Sequence, residues 1–78
     1  SMTTMRETRI KLNVSDVSDF VKAATECDFD IDLNYNRILI DAKSILGVMS
    51  MDLNNVLTVK CYGESPKFER FLQKYAVA

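Results

Sequence analysis

Residues 9–14, Arg-Ile-Lys-Leu-Asn-Val, alternate polar and apolar with a period of two, which predicts a strand carrying Ile10, Leu12 and Val14 on one face. The period then lengthens. Val17, Phe20, Val21 and Ala24 recur at i, i+3, i+4 and i+7, the stripe of an amphipathic helix running to about residue 26. Ser15 and Asp16 offer capping oxygens at its start, and Asp19 sits where a carboxylate meets the positive end of the helix. From Asp30 the period returns to two, with Ile31, Leu33 and Tyr35 alternating against Asp30, Asp32 and Asn34. Asn34 and Asn36 tolerate the left-handed backbone of a tight turn, and Ile38 with Ile40 resumes the alternation, so this stretch predicts a β-hairpin. A short helix follows, with Ser44 as cap and Ile45, Val48 and Met49 at helical spacing. Gly47 inside it lowers helix propensity by up to about 1 kcal/mol, so packing or function must favour a residue without a side chain there. Leu57, Val59 and Cys61 alternate with Thr58, Lys60 and Tyr62 as a fourth strand ended by Gly63. Ser65 and Pro66 then open a last helix with the stripe Phe68, Phe71, Leu72 and Tyr75.

The resulting order, β-α-β-β-α-β-α, is α+β, and each strand has one apolar face. Such strands form an open-faced sandwich, a four-stranded antiparallel sheet covered on one face by helices and wet on the other. At 78 residues there is room for one domain, read as residues 2–78 because Ser1 ahead of Met2 looks like an expression remnant. A domain of this size buries only about 60% of its unfolded surface, too little for a deep, water-excluding active site.

Composition narrows the chemistry. With 47% apolar and 27% charged residues the chain is neither disordered nor a membrane span. No run approaches the roughly 18 apolar residues of a transmembrane helix, and the start lacks the apolar core of a secretion signal, so a cytoplasmic protein is expected. Ten basic against eleven acidic residues, with no basic run, argue against direct nucleic-acid binding. Cys27 and Cys61 lack the spacing of a zinc site or a CxxC motif and are read as reduced thiols. Asp28, Asp30 and Asp32 are read as a solvated strand face rather than a divalent-ion site. The absence of histidine excludes imidazole bases, His triads, His metal ligands and phosphohistidine intermediates. No catalytic residue, metal or cofactor is expected.

Ala42-Lys43-Ser44-Ile45-Leu46-Gly47-Val48-Met49-Ser50-Met51 resembles the regulatory-serine helix of HPr, the phosphocarrier of the bacterial sugar phosphotransferase system. The resemblance runs without a gap from Phe20-Val21 through Ile31 to Ser50, and more loosely to the last helix. It implies the HPr-like open-faced sandwich that the periodicity already indicates. It fails at the relay site. HPr proteins carry a Gly-Leu-His-Ala-Arg-Pro-like loop there, whereas this chain has Leu12-Asn13-Val14-Ser15-Asp16-Val17. Counting back from Phe20 puts Asn13 in the place of the phosphoacceptor histidine and Ser15 in that of the arginine. An amide cannot accept a phosphoryl group as imidazole does, and a hydroxyl cannot make the bidentate arginine contact.

Ser44 does match. The resemblance implies phosphorylation there by an HPr kinase/phosphorylase and binding of the product to a catabolite-control transcription regulator of the LacI type. By residue type alone Ser44 is a helix cap. Lys43, Ser44, Ile45, Leu46 and Met49 are the expected partner-binding residues, with Leu46 and Met49 the more exposed apolar pair and the remainder shared with the core. The expectation is a non-catalytic regulatory protein. Two alternatives stay open: a phosphocarrier with a non-histidine acceptor near Ser15 or Asp16, and a structural remnant without a sugar-system role.

Overall fold

A computed structural model describes residues 4–78 of the chain. Four strands, β1 (Arg6–Ile10), β2 (Ile31–Tyr35), β3 (Ile38–Asp41) and β4 (Leu57–Cys61), form one antiparallel sheet in the order β1-β4-β2-β3. Helices α1 (Val17–Thr25), α2 (Ile45–Met49) and α3 (Pro66–Leu72) cover one face, and a single 3-10 turn, Val14–Asp16, leads into α1. This is the open-faced sandwich that the alternating strands predict.

The register explains the two faces. Thr8, Val59, Leu33 and Ile40 stand in one row across the sheet, and Glu7, Lys60, Asp32 and Asp41 in the next. Neighbouring rows point to opposite sides, so the first row meets the helices and the second meets water. The core comprises Ile10, Ile31, Leu33, Leu57, Val59 and Cys61 from the sheet, Val17, Phe20, Val21 and Ala24 from α1, Val48 from α2, and Phe68 and Leu72 from α3. Among the described residues no polar or charged residue is buried. Packing of apolar faces therefore carries the stability.

The first strand departs from its expected position. It ends at Ile10 instead of continuing to Val14, because Ile10 is opposite Leu57, the first residue of β4, and no partner strand remains beyond it. Leu12 is buried in the connection, whereas Val14 is 64% exposed in the 3-10 turn. The strand's N-terminal half was hidden in sequence by its polarity: Arg6 faces α3 and pairs with Glu64 and, at 3.2 Å, with Glu69. Such exposed pairs fix orientation more than they stabilise. Beyond Ile10 the chain is held by the C-terminal segment, with Lys11 N–H donating to the Tyr75 carbonyl at 2.9 Å and an antiparallel bridge between Ile10 and Ala76.

The hairpin joins Tyr35 to Ile38 through Asn36 and Arg37, and only Asn36 is left-handed, with φ of 54°. Asn34 stays in the strand. Its side-chain amide instead donates to the carbonyls of Asn36 at 3.1 Å and Ile38 at 2.9 Å, bracing the turn. Ile38 is half exposed and only Ile40 packs on the core, so the expected apolar pair on β3 is split. In the last helix Tyr75 lies past the end of α3, still packed at 5.3 Å from Phe71 between ring centroids.

Candidate functional site

The serine-led segment folds as a five-residue helix because its ends are capped by its own side chains. Ser44 Oγ accepts from Gly47 N–H at 3.1 Å, and Ser50 Oγ donates to the Gly47 carbonyl at 2.6 Å. Ser44 N–H in turn donates to the Asp41 carbonyl at 3.0 Å, which fixes the step from β3 into α2. Ala42 and Val48, both fully buried, anchor this unit, and Met51 is buried just after it. The opposite side is open: Leu46 is 82% exposed, and Ile45 and Met49 are each half exposed. The exposed apolar group is therefore a trio rather than the expected pair. In a five-residue helix only the Val48 side reaches the core.

Gly47 is the reason α2 sits so low on the sheet. A Cβ at this position would come within 2.7 Å of Ile40 Cγ2 and 3.1 Å of Ser44 Oγ. The missing side chain lets α2 approach β3 and keeps the serine hydroxyl uncrowded.

Lys43 has a different setting from the rest of the group. Its Nζ donates to the Cys27 carbonyl at 2.8 Å, just past the C-terminal end of α1. A cation there satisfies an otherwise open carbonyl and complements the helix dipole. That use of Lys43 was not visible from sequence, since it spans sixteen positions.

Asn13 and Ser15 lie at the other end of α1, so Lys43 is not brought to them. Both are exposed on the 3-10 turn, which is pinned by buried Leu12 and Val17 on either side. Asn13 N–H donates to Asp16 Oδ2 at 2.9 Å, and Asp16 N–H returns to the Asn13 carbonyl at 2.9 Å. Asp16 thus closes the turn instead of capping α1 directly, and Ser15 makes no capping bond. Burial first, and the nearby carboxylates of Asp16 and Asp19 second, push the Tyr75 phenol above its ordinary range. The turn is therefore an acidic locus with no imidazole, guanidinium or thiol of its own.

Elsewhere, a groove of about 510 Å³ runs between α1 and α3, with Lys22, Glu26, Phe71 and Lys74 among its lining residues. Among the described residues no cluster of three His, Cys, Asp or Glu side chains is arranged to hold a metal. Cys27 and Cys61 are free and buried. Burial pushes the Cys61 thiol up to about 11 and raises that of Cys27 in the same direction. A raised thiol pKa stabilises the fold below the ordinary value of 9.0, and that contribution is lost as pH climbs from there towards 11. We expect thermal stability to fall across this alkaline window, and to fall less in Cys61→Ala. Equal slopes in the two proteins would contradict the assignment.

The helix-covered four-stranded sheet, with its second helix opened by a serine and flanked by bare apolar side chains, defines an open-faced α+β sandwich. The crystal structure of the phosphocarrier protein HPr from Bacillus anthracis str. Ames superimposes with a TM-score of 0.70, covering 99% of this chain and 100% of that one at 21% identity. Residues 8–74 match the family described as PTS HPr component phosphorylation site, and the chain belongs to this HPr family. No curated protein matches the sequence.

Proposed function

We propose that this chain is a regulatory HPr-like protein that no longer relays phosphate and works by docking through α2, switched by phosphorylation of Ser44. The observation that carries this reading is the pairing of a serine-capped, apolar α2 with a turn whose would-be acceptor position is Asn13. A phosphate on Ser44 adds a charge of about -1.5 to -2, which the first-turn N–H groups and the positive end of the helix accommodate. Ile45, Leu46 and Met49 supply the apolar part of the contact, and Met49 adapts its shape to the partner. The Asp16 carboxylate, hydrogen-bonded to Asn13 N–H, speaks against a second acceptor at the turn, because like charges repel an incoming phosphoryl group. The writing enzyme in this reading is an HPr kinase/phosphorylase, and the reader is a LacI-type catabolite-control regulator.

Incubation with HPr kinase/phosphorylase and ATP should add one phosphate by intact mass, and Ser44→Ala should add none. Ser44→Ala also removes the cap and should cost roughly 1 kcal/mol of stability, so its fold is to be checked by circular dichroism. Unmodified wild-type protein after that incubation would count against the switch. Phosphoenolpyruvate with the general enzyme of the phosphotransferase system should leave the chain unlabelled, and a labelled product would restore the carrier reading.

A further inference from the structure

The two edges of the sheet are treated differently. The C-terminal end of the outer edge of β1 is covered by the C-terminal segment: Lys11 N–H bonds to the Tyr75 carbonyl, Val77 N–H to the Arg9 carbonyl, and Ala76 bridges Ile10. Among the described residues the outer edge of β3 has no such cover. Its four residues, Ile-Leu-Ile-Asp, contain neither lysine nor proline and no bulge, their one charge is Asp41 at the end, and Ile38 and Leu39 are 50% and 56% exposed.

The phase of the ladder says which groups the edge presents. Ala42 N–H donates to the Ile31 carbonyl at 2.9 Å, and the register pairs Leu33 with Ile40 and Tyr35 with Ile38. Bonded residues alternate along an antiparallel strand, so Ile38, Ile40 and Ala42 turn their backbone groups towards β2. Leu39 turns both of its groups outward, away from the sheet, and Asp41 its N–H, the Asp41 carbonyl accepting from Ser44 N–H at 3.0 Å.

We propose that β3 pairs with β3 of a second copy of this chain, antiparallel about a two-fold axis at Leu39, making an eight-stranded sheet. In that register Leu39 opposes its own copy as a hydrogen-bonded pair, using the outward N–H and carbonyl of both. Ile38 opposes Ile40 of the second copy, twice, on the helix-covered face. Arg37 opposes Asp41 of the second copy, also twice, on the wet face, so opposite charges meet at both ends. Asp41 is free to take part: its Oδ1 holds Lys43 N–H at 2.9 Å, and among the described residues Oδ2 makes no hydrogen bond. Asn34 holds the hairpin turn that carries Arg37. Sliding the pairing by two residues, so that Leu39 opposes Asp41, sets Arg37 against Lys43 and brings like charges together. One register is therefore favoured over its neighbour by charge, and a closed two-fold leaves no edge for further growth on this side. This surface is separate from the exposed side chains of α2 and does not depend on Ser44.

Sedimentation velocity on the full chain over a range of concentrations should show a reversible monomer–dimer equilibrium. Amide exchange at Leu39 and Asp41 should slow as concentration rises, while exposed amides elsewhere stay unchanged. Arg37→Glu should move the dimerisation midpoint to about tenfold higher concentration, because two cross-strand pairs change from attraction to repulsion. Asp41→Lys should do the same, and the double reversal, Arg37→Glu with Asp41→Lys, should restore association. Leu39→Lys, on an exposed side chain, should abolish it without unfolding the monomer. A chain that stays monomeric up to millimolar concentration would overturn the proposal. So would a dimer in which the Leu39 amide exchanges at the monomer rate, or one indifferent to Arg37→Glu.

Discussion

Truncation of Phe20 to alanine should cost about 3–5 kcal/mol and lower the melting temperature on the order of 20 °C. Phe20 is fully buried on α1 and its ring lies 6.3 Å from that of Phe68 on α3, so it joins two helices to the sheet at once. Native domains of this size are stable by only about 4–12 kcal/mol, which makes this a large share of the total. Phe20→Leu keeps most of the volume and should lose less than half as much. Urea unfolding of the three proteins measures the series. A small effect from Phe20→Ala would mean that neighbours collapse into the space, and that the core is less closely packed than the buried contacts of α1 and α3 require.

Gly47→Ala is the second large effect, and its sign is the informative part. Helix propensity alone says that alanine should stabilise α2 by about 1 kcal/mol. The contact says the opposite: the new Cβ lands 2.7 Å from Ile40 Cγ2. That atom belongs to a β-branched side chain with little rotamer freedom, so the backbone of α2 must lift or Ile40 must strain. Overpacking of this kind costs about 1–3 kcal/mol, enough to outweigh the propensity gain. The same substitution in an Ile40→Ala background should become neutral or favourable, and the difference between the two backgrounds measures the contact. Stabilisation by Gly47→Ala in the parent chain would show that α2 does not sit as close to β3 as described.

Much of the fold is written in short-range pattern. The apolar stripe of α1, the alternation of β2 and β4, the Ser44 cap and the Ser65-Pro66 start of α3 are each set by neighbours within about four residues, and each is present in the structure. The candidate site was legible to the same extent. Ser44 and its apolar neighbours fall on one helix, and the lack of histidine is a property of composition. β1 was misplaced because alternation continued past the point where its partner strand begins. Nothing local distinguishes Ile10, which has a partner in β4, from Val14, which has none. Asp16 was read as a cap of α1, but its carboxylate turns back to Asn13 because a 3-10 turn precedes the helix.

By itself, then, the chain's order of residues determined most of the elements, their apolar faces, the HPr-like arrangement they build and the absence of any imidazole. Tertiary structure alone decided which apolar side chains stay uncovered, where Lys43 spends its charge, why residue 47 has no side chain, and which sheet edge is left open. The division follows from range. Periodicity and capping act over one or two turns of chain, whereas exposure, close approach and strand pairing depend on residues tens of positions apart meeting in one small core.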